Sequence, residues 1–420
     1  MTVLRPRRPD DTLPRRRTAL RTAALMGPAF VAAVAYVDPG NVAANITAGA
    51  RYGFLLVWVL VVANLVAMLI QYQSAKLGIV TGRSLPALIG ERLGTPSRLA
   101  YWVQAEFVAL ATDLAEVLGG AIALQLLFDL PLVLGGTIVG AVSLTLLLLQ
   151  NPRRQRTFER VMIGLLMIVV VGFLAGLVVN PPPAGDVFAG LVPRLDGAET
   201  VLLAASMLGA TVMPHAIYVH SSLVIERHGV TESSARKRRL IGATRWDVGS
   251  ALVVAGAVNI ALLLLAAQNL RGQEGTDTIN GAYDAVSAAM GPGMATAFAI
   301  GLLASGLAAT SVGSSAGATI MAGLLRVRIP LVLRRLITLL PALAVLAIGV
   351  DPTWALVISQ VVLSFGIPFA IIPLGRLTAD RSVMGEFAGA PALRMFAGLA
   401  SILIVVLNAA LIVLVVTGSG

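Results

Sequence analysis

Long apolar runs, separated by short polar connections that carry arginine, fill almost the whole chain. A helix needs about 20 apolar residues to cross a hydrocarbon core. Runs of that length fit at 22–49, 54–79, 98–125, 128–149, 160–180, 199–225, 247–269, 293–324, 331–350, 352–375 and 392–416. The pattern predicts an all-α integral membrane protein with about eleven transmembrane helices. Two of these spans are interrupted. The first contains Asp38, Pro39, Gly40 and Asn41; the sixth contains Gly209 and the run Thr211, Val212, Met213, Pro214, His215. Proline removes a backbone donor and clashes with the preceding turn. In lipid, unwound backbone survives only where protein buries it or water reaches it.

The breaks lie five spans apart, so the two broken helices run in opposite directions. That spacing predicts two inverted five-helix repeats, at 22–190 and 191–380, with a site where the broken helices meet near mid-membrane. A basic arm at 1–21 precedes them, and an additional C-terminal helix occupies 381–420.

Charge placement fixes the orientation. Arg83, Arg92 and Arg98, then Arg153, Arg154 and Arg156, then Arg236, Lys237, Arg238, Arg239 and Arg245, then Arg326 and Arg328, then Arg376 and Arg381 fall in alternate connections. The intervening connections hold few basic residues, such as Arg51, Arg194 and Arg271. Basic loops stay inside, so the N-terminus is expected in the cytoplasm, the C-terminus outside, and the protein in the cell membrane. The formal charge of +10 then reflects cytoplasmic loops and not nucleic-acid binding. There are no cysteines, which excludes disulfides, thiolate metal sites and cysteine nucleophiles. The only histidines are His215, His220 and His228, so a multi-histidine cage is possible in one segment alone.

At the breaks, Asp38 is an ionisable group near the middle of a span, which is costly and by default functional; the alternative is ordinary Asp-Pro-Gly turn chemistry. Asn41 offers an amide oxygen to the same spot, or an Asx turn for freed backbone groups. Met213 stands immediately before Pro214 in the second break. Carboxylate, amide oxygen, thioether and freed carbonyls make a mixed hard and soft set. Oxygen ligands alone suit Mg²⁺ or Ca²⁺; a thioether favours softer first-row metals.

His215 and His220 are candidate proton carriers, since imidazole titrates near neutrality, or packing residues. Glu106, Asp113 and Glu116 share one helical face of the third span. The ninth span opens with Arg334 and Arg335. Such a stripe predicts a proton relay paired with those arginines, a static lock between helices, or both.

These residues resemble the Nramp family of proton-coupled manganese and iron transporters. The resemblance is carried by Asp38, Pro39, Gly40 and Asn41, by Met213, Pro214 and His215, by ATDLAE at 111–116, by Arg334 and Arg335, and by SQVVLSFGIPFA at 359–370. It implies a LeuT-like fold and a secondary transporter importing Mn²⁺, with Fe²⁺ and Cd²⁺, coupled to protons by alternating access. It implies that Asp38, Asn41 and Met213 hold the metal with the backbone carbonyls of Ala35 and Ala210, and with Gln360 in the occluded state. Protons would leave through His215, Asp113 and Glu116 toward Glu106, Arg334 and Arg335, with His220 nearby. Ala318 and Ala322 stand where many relatives carry Gln and Glu, which bears on gating by the eighth span and not on the ligands. The reading expects no permanently bound cofactor and no obligatory protein partner, only the metal ion, protons and the bilayer.

The rival on the same scaffold is a cation-coupled carrier of another substrate, such as an amino acid, which has no use for Met213. An intramembrane enzyme is not expected. No HExxH occurs, and Ser221 and Ser222 beside His220 do not face it on a helix.

Overall fold

The computed structural model describes residues 27–149, 155–272, 275, 278–327, 330–389 and 391–417. The basic arm, residues 22–26 of the first span, Arg153, Arg154 and Arg328 lie outside the described residues. Among those described, every regular element is helical.

The first span is two helices, α1 (Pro28–Ala35) and α2 (Pro39–Tyr52), joined by a non-helical turn at 36–38. Pro39 occupies the first turn of α2, where its missing N–H costs nothing, and the Asp38 carboxylate caps that turn by accepting from Asn41 N at 2.8 Å. There follow α3 (Val57–Thr81), α4 (Leu85–Arg92), α5 (Thr95–Phe128), α6 (Leu132–Leu149), α7 (Gln155–Val179) and α8 (Ala184–Ala189). The sixth span is again two helices, α9 (Gly197–Thr211) and α10 (Pro214–His228), with Met213 at the N-cap of the second and Pro214 opening it. Then come α11 (Ser234–Asn269), α12 (Ile279–Met290), α13 (Pro292–Leu324), α14 (Leu331–Ile348), α15 (Pro352–Ala379), α16 (Arg381–Met384) and α17 (Pro391–Thr417).

Seven helical stretches among the described residues are long and apolar enough to cross a bilayer, the α9–α10 pair counting as one, and Leu132–Leu146 and Gly398–Ala410 are shorter apolar stretches. The described part of the broken first span is not among them. The short α4, α8 and α12 belong to connections that the hydrophobic pattern leaves unassigned.

One boundary differs from expectation by a wide margin. Arg236, Lys237, Arg238, Arg239 and Arg245 do not form a loop; they are helical, in the first third of α11. Nothing in SARKRRLIGATRW breaks a helix, and Ser233 caps it by accepting from Arg236 N. A hydropathy window stops at the charged stretch, but backbone propensity does not.

The core is built around α5 and α13, the most extensive helix pair. Gly and Ser let the backbones approach: a Cβ at Gly306 of α13 would lie 3.1 Å from both Glu116 O and Gly120 N of α5. In lipid such close packing, not burial from water, holds helices together. Helices α2, α9 and α15 pack on one another, and α11 runs along both α1 and α2.

Candidate metal and proton site

The two breaks meet. Asn41 Nδ2 donates to Asp38 Oδ1 at 2.7 Å and to the carbonyl of Ala210 at 2.9 Å, across 169 residues of sequence. Thr211, a residue sequence reasoning passed over, sits 3.4 Å from Asn41 Oδ1 through its hydroxyl. Asp38, Asn41, Ala35, Ala210 and Met213 are all essentially sealed from solvent. Ala35 closes α1, and the turn after it bonds back to the carbonyls of Ala33 and Val34. Met213 O accepts from Ile217 N at 3.2 Å, anchoring the start of α10.

The amide of Asn41 is turned opposite to the sequence expectation: its nitrogen, not its oxygen, faces the carboxylate. An amide oxygen turned to that side would face two other acceptors, Asp38 Oδ1 and the Ala210 carbonyl, so the donor side wins. The same contact occupies the Ala210 carbonyl.

Gln360 of α15 completes the enclosure. A Cβ on Gly40 would overlap the Gln360 side chain, and a Cβ on Gly209 would overlap its backbone oxygen. Glycine at both breaks is what lets α15 touch them. Two buried acceptors at this place, Asp38 Oδ2 and Gln360 Oε1, have no hydrogen-bond partner among the described residues. Orphaned buried acceptors are costly, and a positively charged or hydrogen-donating partner would relieve either one.

Beside the breaks, His215 Nδ1 lies 3.2 Å from the Thr112 hydroxyl, one residue before Asp113 on α5. His215 Nε2 is buried without a partner among the described residues. Arg335, wholly buried, places Nη1 3.1 Å from Asp113 Oδ1 and donates through Nε to Ser143 Oγ at 2.9 Å. Arg334 donates to both Glu106 oxygens at 2.8 and 3.0 Å and to Met321 Sδ at 3.1 Å. Glu116 faces Gly313, where a Cβ would come within 2.8 Å of its Oε1 and 3.4 Å of Asp113 Oδ1. At Gly317 a Cβ would overlap the Arg334 guanidinium. The carboxylate stripe of α5 thus meets the arginine pair of α14, with α13 giving way between them. His220 is apart from this row: its Nδ1 lies 2.6 Å from Gln71 Oε1, and Gln71 bonds the Tyr36 hydroxyl.

A cavity of about 470 Å³ opens above the breaks between α2, α9 and α15, lined by Thr47, Arg51, Glu199, Leu203, Trp354 and Val357 among others. Glu199 pairs with Arg51 and accepts from the Tyr52 hydroxyl at 2.6 Å.

Comparison with known proteins bears on this arrangement. Residues 29–414 match the family described as natural resistance-associated macrophage protein-like, Nramp. A divalent metal cation transporter MntH of Mycobacterium tuberculosis (strain H37Rv) is 57% identical over 403 residues, covering 96% of this chain and 94% of the relative. The MntH of Deinococcus radiodurans is 45% identical over 394 residues, 93% and 90% of the two chains. A crystal structure of the Eremococcus coleocola manganese transporter superposes with a TM-score of 0.85 at 30% identity, covering 94% of this chain and 87% of that one. The structure of MhsT in complex with L-phenylalanine shares the fold at a TM-score of 0.61 and 16% identity, over 93% and 97%.

Proposed function

We propose that this chain, which belongs to the Nramp family, imports divalent transition-metal ions, Mn²⁺ foremost with Fe²⁺ and Cd²⁺, by alternating access coupled to protons. It is a multi-pass membrane transporter and not an enzyme. Its place is the cell membrane, with the N-terminus in the cytoplasm and the cavity above the breaks facing outward. The basic connections on the opposite side support that orientation. The chain divides into a basic arm at 1–21, five-helix repeats at 22–190 and 191–380, and a C-terminal addition at 381–420.

The observation that carries the reading is the hydrogen-bonded row Asp38, Asn41, Ala210, flanked by two unpartnered acceptors. An arriving cation takes over the role of the Asn41 nitrogen. The amide turns, its oxygen and the freed Ala210 carbonyl face the ion, and Asp38 supplies the charge. Met213 contributes a soft donor that Ca²⁺ and Mg²⁺ do not reward. The carbonyl of Ala35 and the amide of Gln360 complete the shell when the site is closed. No resident cofactor and no protein partner is needed for this.

Protons take a second route. Metal at Asp38 displaces a proton toward His215, which reaches α5 through Thr112. Asp113 and Glu116 pass it on, and Arg335, Arg334 and Glu106 set the potential along the way. His220 serves the neighbouring network with Gln71 and Tyr36. The inward membrane potential drives cations with about 2.3 kcal/mol per charge per 100 mV.

Reconstituted vesicles with an internal pH dye test this. Mn²⁺ uptake with matching acidification, and no uptake of Ca²⁺, is the expected result. Mn²⁺ uptake without proton movement overturns the coupling; failure to bind Mn²⁺ overturns the function.

A further inference from the structure

Helix α1 is only 8 residues long, PAFVAAVA, and all but Phe30 are buried. It ends at the turn that presents Asp38, so its position sets the position of the carboxylate. Small side chains let it pack closely on its neighbours, and within a bilayer interhelical hydrogen bonds add to that packing because no hydrophobic driving force separates helix from lipid. Polar ties therefore help to fix where it sits.

Those ties come largely from α11. At the start of α1, the N–H groups of Gly27 and Ala29 donate to Asp247 Oδ1 and Oδ2, at 3.1 and 3.0 Å. At its end, Asn259 Nδ2 donates to the Tyr36 carbonyl at 2.7 Å, while Ser305 donates to the Val37 carbonyl. Asp247 and Asn259 lie about 18 Å apart along α11 at 1.5 Å per residue, so α1 is pinned alongside α11 at both ends. The two pins differ in kind. Asn259 makes a neutral bond beside the metal site and also accepts from Asn45 at 3.2 Å. Asp247 is a buried carboxylate on the amide N–H groups of a helix start, the strongest form of cap. It sits at the end of α1 remote from the outer cavity.

We propose that Asp247 is a positioning residue for metal release: its hydrogen bonds to Gly27 and Ala29 latch α1 across the inner side of the metal site, and breaking them lets α1 pivot about its Asn259-held end and uncover the route to the cytoplasm. Closed, the latch keeps Asp38 under the outer cavity. Open, it exposes the same carboxylate from below. The inference rests on the transport reading above, and its test separates the two.

The chain has no cysteine, so a single introduced thiol reports alone. Val31→Cys, a near-isosteric change at a buried position of α1, reads the inner side; Thr47→Cys, in the outer cavity, reads the other. Maleimide labelling of the full-length protein in vesicles without metal is compared with and without Asp247→Ala. The expected result is a rise of about tenfold in Val31→Cys labelling, the change that ~1.4 kcal/mol produces and a typical loss for a helix cap, with a fall in Thr47→Cys labelling. Asp247→Asn, which keeps an acceptor, falls between. Unchanged Val31→Cys labelling, or both reporters rising together as a loosened fold would make them, overturns the latch. Mn²⁺ binding by the reporter chains with Asp247 intact is measured in parallel: if it is present while the labelling result fails, the latch alone is lost; if it is absent, the transport reading itself fails.

Discussion

Asn41 turns its amide nitrogen toward Asp38, 2.7 Å from Oδ1, although the chemistry assigned to the pair needs its oxygen there. The pair therefore satisfies its own polar groups by bonding them to one another. Replacing Asn41 by Ala removes a ligand of the proposed shell together with the donor that Asp38 and Ala210 share. Loss of a ligand costs no less than loss of an outer-shell partner, which takes about 10–100-fold from metal affinity. Calorimetric titration of Asn41→Ala with Mn²⁺ should show a drop of at least about 10-fold. A value within threefold of the parent removes Asn41 from the shell.

Asp38→Asn keeps the cap on α2, because an amide oxygen also accepts from Asn41 N. It removes the charge. Uptake of Mn²⁺ should fall to background while the melting temperature stays near the parental value, since shape and cap are retained. Parental flux in this variant contradicts the assignment of Asp38.

Met213→Ala separates selectivity from transport. Mn²⁺ uptake should persist at a reduced rate, and Ca²⁺ or Mg²⁺ should now compete for it. Competition curves identical to those of the parent would falsify a role for the thioether.

Gly40→Ala and Gly209→Ala both press on Gln360, but on different parts of it. At Gly40 the obstacle is the end of a side chain, which can turn aside; at Gly209 it is backbone of α15. Overpacking costs about 1–3 kcal/mol, and Gly209→Ala should lie at the upper end. Thermal unfolding in detergent should rank Gly209→Ala below Gly40→Ala, and the reverse order contradicts the contact described.

Asp113→Asn leaves the Arg335 guanidinium without its buried counter-ion. Breaking such a pair costs about 3–5 kcal/mol, so the variant should melt earlier. If Asp113 also carries protons, vesicle acidification should fall more than Mn²⁺ affinity. Equal losses in both make the pair a structural lock only.

Much of this was legible in the residues. Asp38 and Met213 announced the breaks because proline and glycine beside polar side chains have few reasons to stand in an apolar span. Glu106, Asp113 and Glu116 announced a common face by their spacing, and α14 brings its arginines to the first two. What stayed hidden was set by contacts between distant segments. The direction of an amide depends on which acceptors surround it, and those of Asn41 come from two breaks. Thr112 and Ser143 are single hydroxyls among many. Asp247 carried a signal that was available: a carboxylate at the mouth of the seventh span. Its partner could not be read, because backbone N–H groups of Gly27 and Ala29, more than 200 positions away, leave no trace in the residue alphabet. The helical start of α11 was masked by its own charge.

The hydrogen that Gly317 carries in place of a side chain leaves the volume that the Arg334 guanidinium fills. A methyl group there touches none of the proposed ligands and changes no formal charge, yet it must push the Arg334 guanidinium from its place beside Glu106. Variation among the small residues of α13 is thus a hidden form of electrostatic variation, and a substitution scan graded by polarity alone will rank Gly317→Ala as silent.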